Sequence, residues 1–544
     1  MTDLAPYHWI VICGCVCGFV YAFGIGANDV ANAFASSVSS KSLTLKQAVI
    51  AAGIFEFLGA FFLGASVTST IKDGIVFLDQ YEDQPQVLMY GMFTSLFTAM
   101  IMLLVATHYG LPVSTTHTIV GTIIGFSIAA EGFQSVDWDG IKKIFISWVA
   151  SPLISGSFSF VLFGLLRIFV LHTEHAAQRA YYTFPVVLFV GITINVFYIL
   201  YKVGKNFDTD DLPIGVIVGS SFACGIGVAL LWLWPLGPIA KKRIASGQVV
   251  LAPGVSTKAP GKDTDTDVAS GHPAALEEGS DDKDAATKAD DKADDNVEDH
   301  EETEDKQATT TKEDQQEEEA KAPDARGPTF SSSLRRLSKS FADNTYNQDL
   351  QSQSMAENAK AKEIWENAEL YDEDAEMMFT YLQVFTACLN SFAHGANDVA
   401  NAIGPISAIL SIYDSGAVAS KSPVQKWVLA YGGVGIVIGL LLYGYKVMKS
   451  IGYKLTILSP SRGATAELAA SLTVVTASFR AIPVSSTQCI VGAVSGVGLT
   501  QGWRNVQWLF LARVCVGWVV IFFASAVLSA GVFSFGAYGP SLIG

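Results

Sequence analysis

The chain has little charge and no feature of a secreted or ATP-driven module. Charged residues make up 16% of its 544 positions and hydrophobic ones 50%, with a mean hydropathy of +0.36. A soluble domain of this length would not carry so many uncharged runs long enough to cross a bilayer. No G-x-x-x-x-G-K-[ST] loop occurs, which removes the usual phosphate cradle of a nucleotide-driven machine. The seven cysteines (Cys13, Cys15, Cys17, Cys224, Cys388, Cys489 and Cys515) all lie in apolar stretches, with neither a zinc spacing nor a disulfide framework. The first apolar run lacks a basic n-region and a cleavage site, so it reads as a retained helix and not a signal peptide. No enzyme, cofactor or nucleic-acid-binding role is read from this composition.

The acidity belongs to one stretch. Residues 261–324 hold 24 Asp+Glu against 7 Lys+Arg, and the rest of the chain holds 27 against 28, so the net charge of −16 says nothing about the apolar body. Residues 251–329 are too polar to form a core and are expected to be disordered, while Ala356–Ala375 has the pattern of a surface helix. The chain thus divides into an N-terminal membrane half (1–239), an acidic segment (240–377) and a C-terminal membrane half (378–544). Apolar runs mark spans at about 6–33, 44–70, 87–108, 111–130, 143–171, 182–203 and 212–236, then 378–408, 425–449, 464–480, 483–500 and 506–535. The fold expected is an all-α polytopic membrane protein with about twelve transmembrane helices.

The same eight residues occur twice, at 26–33 and 395–402: Gly-Ala-Asn-Asp-Val-Ala-Asn-Ala. On a helix Asn28, Asp29 and Asn32 converge on one face, as do Asn397, Asp398 and Asn401. An ionisable Asp inside an apolar span is costly and marks an ion or substrate path. The match continues: Lys41-Ser42, Gly59 and Gly64 recur 380 residues on, and Leu111-Pro112-Val113-Ser114-Thr115-Thr116 recurs as Ile482-Pro483-Val484-Ser485-Ser486-Thr487 at 371. This is an internal duplication of 110–120 residues. Seven spans separate the copies, an odd number, so they cross in opposite directions as inverted-topology repeats, whose substrate sites lie at their interface near the midplane. The runs 111–130 and 483–500 both begin near a Pro and are candidates for re-entrant hairpins.

Three hydroxyl residues follow each of those prolines: Ser114, Thr115 and Thr116, and Ser485, Ser486 and Thr487. Free N–H groups at a helix start, with hydroxyls beside them, suit a tetrahedral oxyanion. Glu56 and Glu467 stand alone in apolar spans and are not repeat equivalents. Together Asp, Glu, Asn and hydroxyl oxygens form a hard-oxygen set suited to sodium. Lys41, Lys46, Arg179, Lys241-Lys242-Arg243, Lys446, Lys449, Lys454 and Arg462 fall on one side of the membrane, which favours an outside N-terminus and a cytoplasmic acidic segment.

The twin motifs, the twin Pro-Val-Ser segments and the large hydrophilic segment between them resemble the inorganic phosphate transporter (PiT) family, in its sodium-coupled fungal and animal form. The resemblance covers about 1–236 and 378–535. It implies a multi-pass plasma-membrane protein with extracellular termini, forming a homodimer among membrane lipid and importing inorganic phosphate with sodium ions by alternating access. Carried over by position, Ser114, Thr115, Thr116, Ser485, Ser486 and Thr487 would hold phosphate. Asn28, Asp29, Asn32, Glu56, Asn397, Asp398, Asn401 and Glu467 would serve cation binding and coupling, with sodium at Asp29 and Asp398. Plant relatives are linked to protons, so proton coupling is one alternative; a phosphate receptor without net transport is another. His117 where the second copy has Gln488, and Arg480 where the first has Tyr109, depart from the symmetric pattern.

Arg335-Arg336-Leu337-Ser338 places a basic pair before a candidate phosphosite, Ser338; the same basic patch would also suit anionic lipid. Deleting 251–350 is expected to leave phosphate uptake by a well-expressed chain intact, since no paired site residue lies there. Uptake per surface-exposed copy checks this, and mass spectrometry of Ser338 checks the modification.

Overall fold

The computed structural model describes residues 4–207, 212–249, 251, 256–257, 368–418, 423–444, 456 and 458–543, without the side chains at 31, 32, 35, 203–207, 256–257 and 540–543. Ser338, the side chain of Asn32 and the 356–367 part of the expected surface helix lie outside these residues.

The described chain is mostly helical. In order come α1 (His8–Asn28), α2 (Val30–Ser39), α3 (Leu45–Asp73), α4 (Pro85–His108), α5 (Thr115–Glu131), α6 (Trp138–Leu166), α7 (Ala176–Phe207), α8 (Ile214–Leu231) and α9 (Gly237–Ala245). After a strand pair follow α10 (Glu373–Ser415), α11 (Lys426–Tyr443), α12 (Pro460–Phe479), α13 (Ser486–Leu499) and α14 (Trp508–Ile543). Among the described residues eight helices are long and apolar enough to cross a membrane. The polar side chains of α10 and α12, which carry the second motif and Glu467, keep them out of that set. α5 and α13, at 17 and 14 residues, fall short of the ~20 that a full crossing needs.

Local chemistry places the ends. α3 opens on a capping box in which Thr44 Oγ1 accepts from the Gln47 N–H and Gln47 Oε1 accepts from the Thr44 N–H. α5 and α13 open on Ser114 and Ser485, whose hydroxyls accept from the N–H groups of His117 and Gln488. Asp29 joins α1 to α2 with helical dihedrals (φ −90°, ψ −36°) and its N–H still donates to Ile25 O (2.8 Å), while α10 runs on past Asp398. β1 (Ser256–Thr257) and β2 (Tyr371–Asp372) pair in parallel, so the chain leaves and re-enters the membrane body at adjacent points.

Small residues bring backbones into contact. A Cβ on Gly26 of α1 would lie 1.8 Å from the Ile436 carbonyl oxygen of α11, and one on Gly439 of α11 would lie 1.8 Å from Phe23 O of α1. The same cross-pairing recurs between α10 and α3, where a Cβ on Gly395 would lie 2.1 Å from Glu56 O and one on Gly59 2.0 Å from Phe392 O. The motif helix of each half is therefore locked to the following long helix of the other half.

Recurrences continue beyond those 110–120 residues. Trp138 Nε1 donates to Phe133 O (2.9 Å) and Trp508 Nε1 to Trp503 O (2.8 Å), each indole stacked on the ring it bonds across. Gly132 and Gly502 both take positive φ, 82° and 118°. α6 and α14 also share Trp148/Trp518, Ser155/Ser525, Ser159/Ser529 and Phe163/Phe533 at an offset of 370, and both expose large apolar side chains such as Ile146, Val149, Val516 and Val519.

Arg462, counted above among the basic loop residues, is fully buried in the first turn of α12. Its Nη1 donates to Ser459 Oγ (3.1 Å) and its Nη2 to Glu369 O (2.5 Å), and its guanidinium lies over the Tyr371 ring. Partial burial would raise the Glu369 carboxyl, but donation from Arg167, Tyr371 and His172 holds it below the ordinary carboxylate range. The residue two positions before β2 is thus tied to the end of α6 by the Arg167–Glu369 ion pair and to α12 by the Arg462 donation to its carbonyl.

Gly26→Ala and Gly395→Ala are each expected to lower stability by about 1–3 kcal/mol, the usual cost of overpacking, because a backbone carbonyl occupies the space a methyl needs. Gly531→Ala, which meets nothing within 4 Å, should be silent. Thermal unfolding in detergent checks both.

Candidate functional site

The two motif aspartates meet in the centre of the helical body, both buried. Asp29 is bound by one hydroxyl from each half: Thr115 Oγ1 donates to Oδ2 (2.6 Å) and Thr487 Oγ1 to Oδ1 (3.0 Å). Asp398 repeats the arrangement with the halves exchanged. Ser486 Oγ donates to Oδ2 (2.5 Å), and Thr116 Oγ1 reaches Oδ1 at 3.4 Å. Each carboxylate is therefore held by the second hydroxyl of its own half and the third hydroxyl of the other.

The asparagines divide by task. Asn28 Nδ2 donates to Leu111 O (3.0 Å) and to Thr107 Oγ1 (3.0 Å), while the Val113 N–H donates to Asn28 Oδ1 (3.2 Å). Asn397 matches it: Nδ2 donates to Val484 O (2.7 Å), and the Val484 N–H donates to Oδ1 (3.4 Å). These two amides fix the irregular backbone around each Pro-Val-Ser segment, where no helix satisfies the peptide groups. Asn397 Nδ2 also reaches Asp398 Oδ1 (3.2 Å), and Asn401 bridges the centre more widely, donating to Asp398 Oδ1 (3.0 Å), Thr116 Oγ1 (3.2 Å) and Thr115 Oγ1 (3.3 Å).

Ser114 and Ser485 sit one step back as helix caps, with Ser114 Oγ 2.6 Å from His117 Nδ1. The asymmetric pair His117 and Gln488 meets directly, Gln488 Nε2 lying 3.3 Å from His117 Nε2. Arg480 is exposed at the end of α12, one residue before Ala481, whose φ of 56° matches the 64° of Gly110 in the first copy.

The two lone glutamates are buried in separate places. Glu56 joins the centre through His394, whose Nδ1 lies 2.8 Å from Glu56 Oε2 and whose Nε2 lies 3.0 Å from Asp398 Oδ2; Ser391 Oγ donates to Glu56 Oε1 (2.8 Å). Glu467 stands apart in a hydroxyl cage, accepting from Ser36 Oγ (2.5 Å), Ser37 Oγ (2.7 Å) and Thr386 Oγ1 (2.7 Å). Thr386 precedes Asp398 by twelve residues, about 18 Å along α10. Sequence reasoning missed His394 and the Ser36–Ser37 pair. The first had a signal: it stands four residues before Asp398, one helical turn away, where the first copy has Ile25.

Helices that bury carboxylates, hydroxyls and an imidazole inside an apolar body define a polytopic membrane protein built around a polar, ionisable centre. The match to a family model then gives the family: residues 25–529 fit the phosphate transporter family, to which this chain belongs. The chain is 32% identical to the phosphate-repressible phosphate permease pho-4 of Neurospora crassa, over 97% of each protein. It is 30% identical to human sodium-dependent phosphate transporter 1, over 98% of this chain and 97% of that one. A solved structure described as the sodium-dependent phosphate transporter superposes with a TM-score of 0.67 at 28% identity, covering 98% of this chain and 99% of the other.

Asn28→Ala and Asn397→Ala should each cost about 1–3 kcal/mol, because each strands a buried backbone N–H, that of Val113 or Val484. Asn397→Ala falls at the lower end, since Thr116 Oγ1 still donates to Val484 O. Thr107→Val, which removes a single acceptor from Asn28, should cost less. Thermal unfolding of the purified variants checks the ranking.

Proposed function

We propose that the chain is a symporter that carries inorganic phosphate into the cell with sodium, by alternating access between two inverted halves. The observation that carries this reading is the exchange of hydroxyls across the halves: Thr487 of the second binds Asp29 of the first, and Thr116 of the first reaches Asp398 of the second. Two buried carboxylates whose facing oxygens lie within 4.8 Å of each other repel, and a cation at each relieves the repulsion. Once the carboxylates hold sodium, Thr115, Thr116, Ser486 and Thr487 rotate from donating to Asp toward donating to a phosphate oxyanion. The anion and the cations neutralise one another in a low-dielectric site, so neither is stable there alone, which is a physical basis for coupling.

In this reading twelve spans, α5 and α13 being the shortest, make two membrane halves (1–239 and 378–544) around a cytoplasmic acidic segment, in a plasma-membrane homodimer with extracellular termini. Ser114 and Ser485 hold the hydroxyl helices in register, Asn28 and Asn397 hold their approach segments, and Asn401, with Asn32 in the equivalent motif position, serves the cations. Glu467 in its hydroxyl cage is a further stop for a cation. The names of the relatives support both phosphate and sodium. A proton-coupled version is favoured by a different observation, the ionisable Glu56–His394 pair beside Asp398.

Uptake of labelled phosphate into proteoliposomes, with sodium replaced by choline at fixed pH, decides between these. Loss of uptake in choline is expected. Unchanged uptake that collapses with the pH gradient would establish proton coupling, and binding without uptake would establish a receptor. Asp29→Asn and Asp398→Asn should each abolish sodium-driven uptake while the protein stays folded, since the amide keeps the shape and removes the charge. Normal sodium dependence in either would refute the assignment.

A further inference from the structure

His394 has a feature that a site for sodium and phosphate does not use. Its side chain is 4% exposed, held between Glu56 on α3 and Asp398 one turn along α10. Nδ1 makes a good hydrogen bond to Glu56 Oε2 at 2.8 Å. Nε2 lies only 3.0 Å from Asp398 Oδ2, yet it makes no hydrogen bond, because the angle is wrong for N–H donation. With the proton on Nδ1 donated to Glu56, the Nε2 lone pair is free and points past Asp398 Oδ2, as it must if both atoms bind one ion at roughly a right angle.

A third ligand is in place. One oxygen of Asp29, one nitrogen of His394 and one oxygen of Asp398 all lie within 4.8 Å of one another, and all three residues are buried. A separation of 3.0 Å between Nε2 and Oδ2 suits two ligands bound to one ion at about 2.0–2.2 Å each. The carboxylate behind the imidazole is the arrangement that orients a metal-binding histidine and strengthens it as a donor. The carboxylates are themselves fixed by Thr115 and Thr487 on Asp29 and by Ser486 and Asn401 on Asp398. Sodium prefers oxygen ligands alone and gains little from an imidazole nitrogen. Borderline divalent ions take nitrogen and carboxylate together.

We propose that Asp29, His394 and Asp398 form a binding site for a borderline divalent transition-metal ion of the zinc or cobalt type, with Glu56 as its positioning carboxylate. Such an ion displaces the sodium that the same aspartates hold and so blocks uptake. Only the displacement rests on the sodium reading; binding of the metal stands on the geometry alone.

Cobalt(II) is the probe, because its visible absorption reports nitrogen and oxygen coordination directly. The purified full-length chain is titrated in detergent with sodium and phosphate replaced by choline chloride. One cobalt per chain is expected, with absorption bands of a four- or five-coordinate site. Glu56→Gln should weaken it about 10–100-fold, the usual loss on removing such an outer carboxylate. His394→Gln should abolish the bands. If that variant does not fold, as judged by size exclusion and melting, Glu56→Gln and competition by sodium chloride against the wild-type cobalt signal decide instead. Stoichiometric binding that neither variant changes would place the ion on one of the other seven histidines and overturn the site. So would the absence of stoichiometric binding. In proteoliposomes, cobalt should inhibit sodium-driven uptake in the wild type. Cobalt bound at His394 without inhibition would overturn the displacement. Inhibition is scored only where the choline control has shown sodium dependence, so failure of the sodium reading is recognised separately.

Discussion

The structure depends on holding two like-charged carboxylates close together inside an apolar body. Moving one carboxylate out of water costs several kcal/mol even after relaxation, and a second one nearby adds repulsion. The chain answers with hydroxyls: four of them, two from each half, donate to Asp29 and Asp398. Hydroxyls suit this place because they bring no charge of their own and turn about one bond. A lysine or arginine would neutralise the pair permanently and leave nothing for a cation to do. Neutral donors stabilise each carboxylate in part and keep the centre electrostatically incomplete, which is the condition for binding an ion reversibly.

Placing donors from both halves on each carboxylate demands that the halves approach to backbone distance. The glycines meet that demand. Gly26 and Gly439 close α1 onto α11, while Gly395 and Gly59 close α10 onto α3, in each case with a carbonyl where a side chain would otherwise stand. The glycine of the repeated motif is therefore as much a packing residue as the aspartate three positions later is a chemical one. The two are read together because the contact that brings the helices together also sets where the aspartate can point.

Much of this was legible in the sequence, for reasons that can be named. The motif pair, the hydroxyl triplets and the buried lone glutamates stand out because polar residues in apolar runs are costly and so carry information. The recurrence of α6 in α14 is also written in the sequence, at an offset of 370, in Trp138/Trp508, Trp148/Trp518, Ser155/Ser525, Ser159/Ser529 and Phe163/Phe533, but these identities are scattered among interchangeable apolar residues. Arg462 looked like a loop charge because its partners, Glu369 O and the Tyr371 ring, lie some ninety residues earlier in the chain. His394 was passed over because it lies outside the repeated eight.

The asymmetries between the halves are best understood together. Around a centre whose hydrogen bonds obey a two-fold exchange, the first half alone contributes Glu56, and the second alone contributes His394 and Glu467. Two identical halves would give two equivalent environments and no reason for ions to bind in order. Glu56 and His394 load the Asp398 side of the centre with an ionisable pair that Asp29 lacks, and Glu467 offers a hydroxyl-lined carboxylate about 18 Å away along α10. In the proposed symport cycle the duplicated scaffold would supply the equivalence that alternating access requires. Single-copy substitutions on it would supply the inequality that lets two cation positions differ while the backbone around them stays paired.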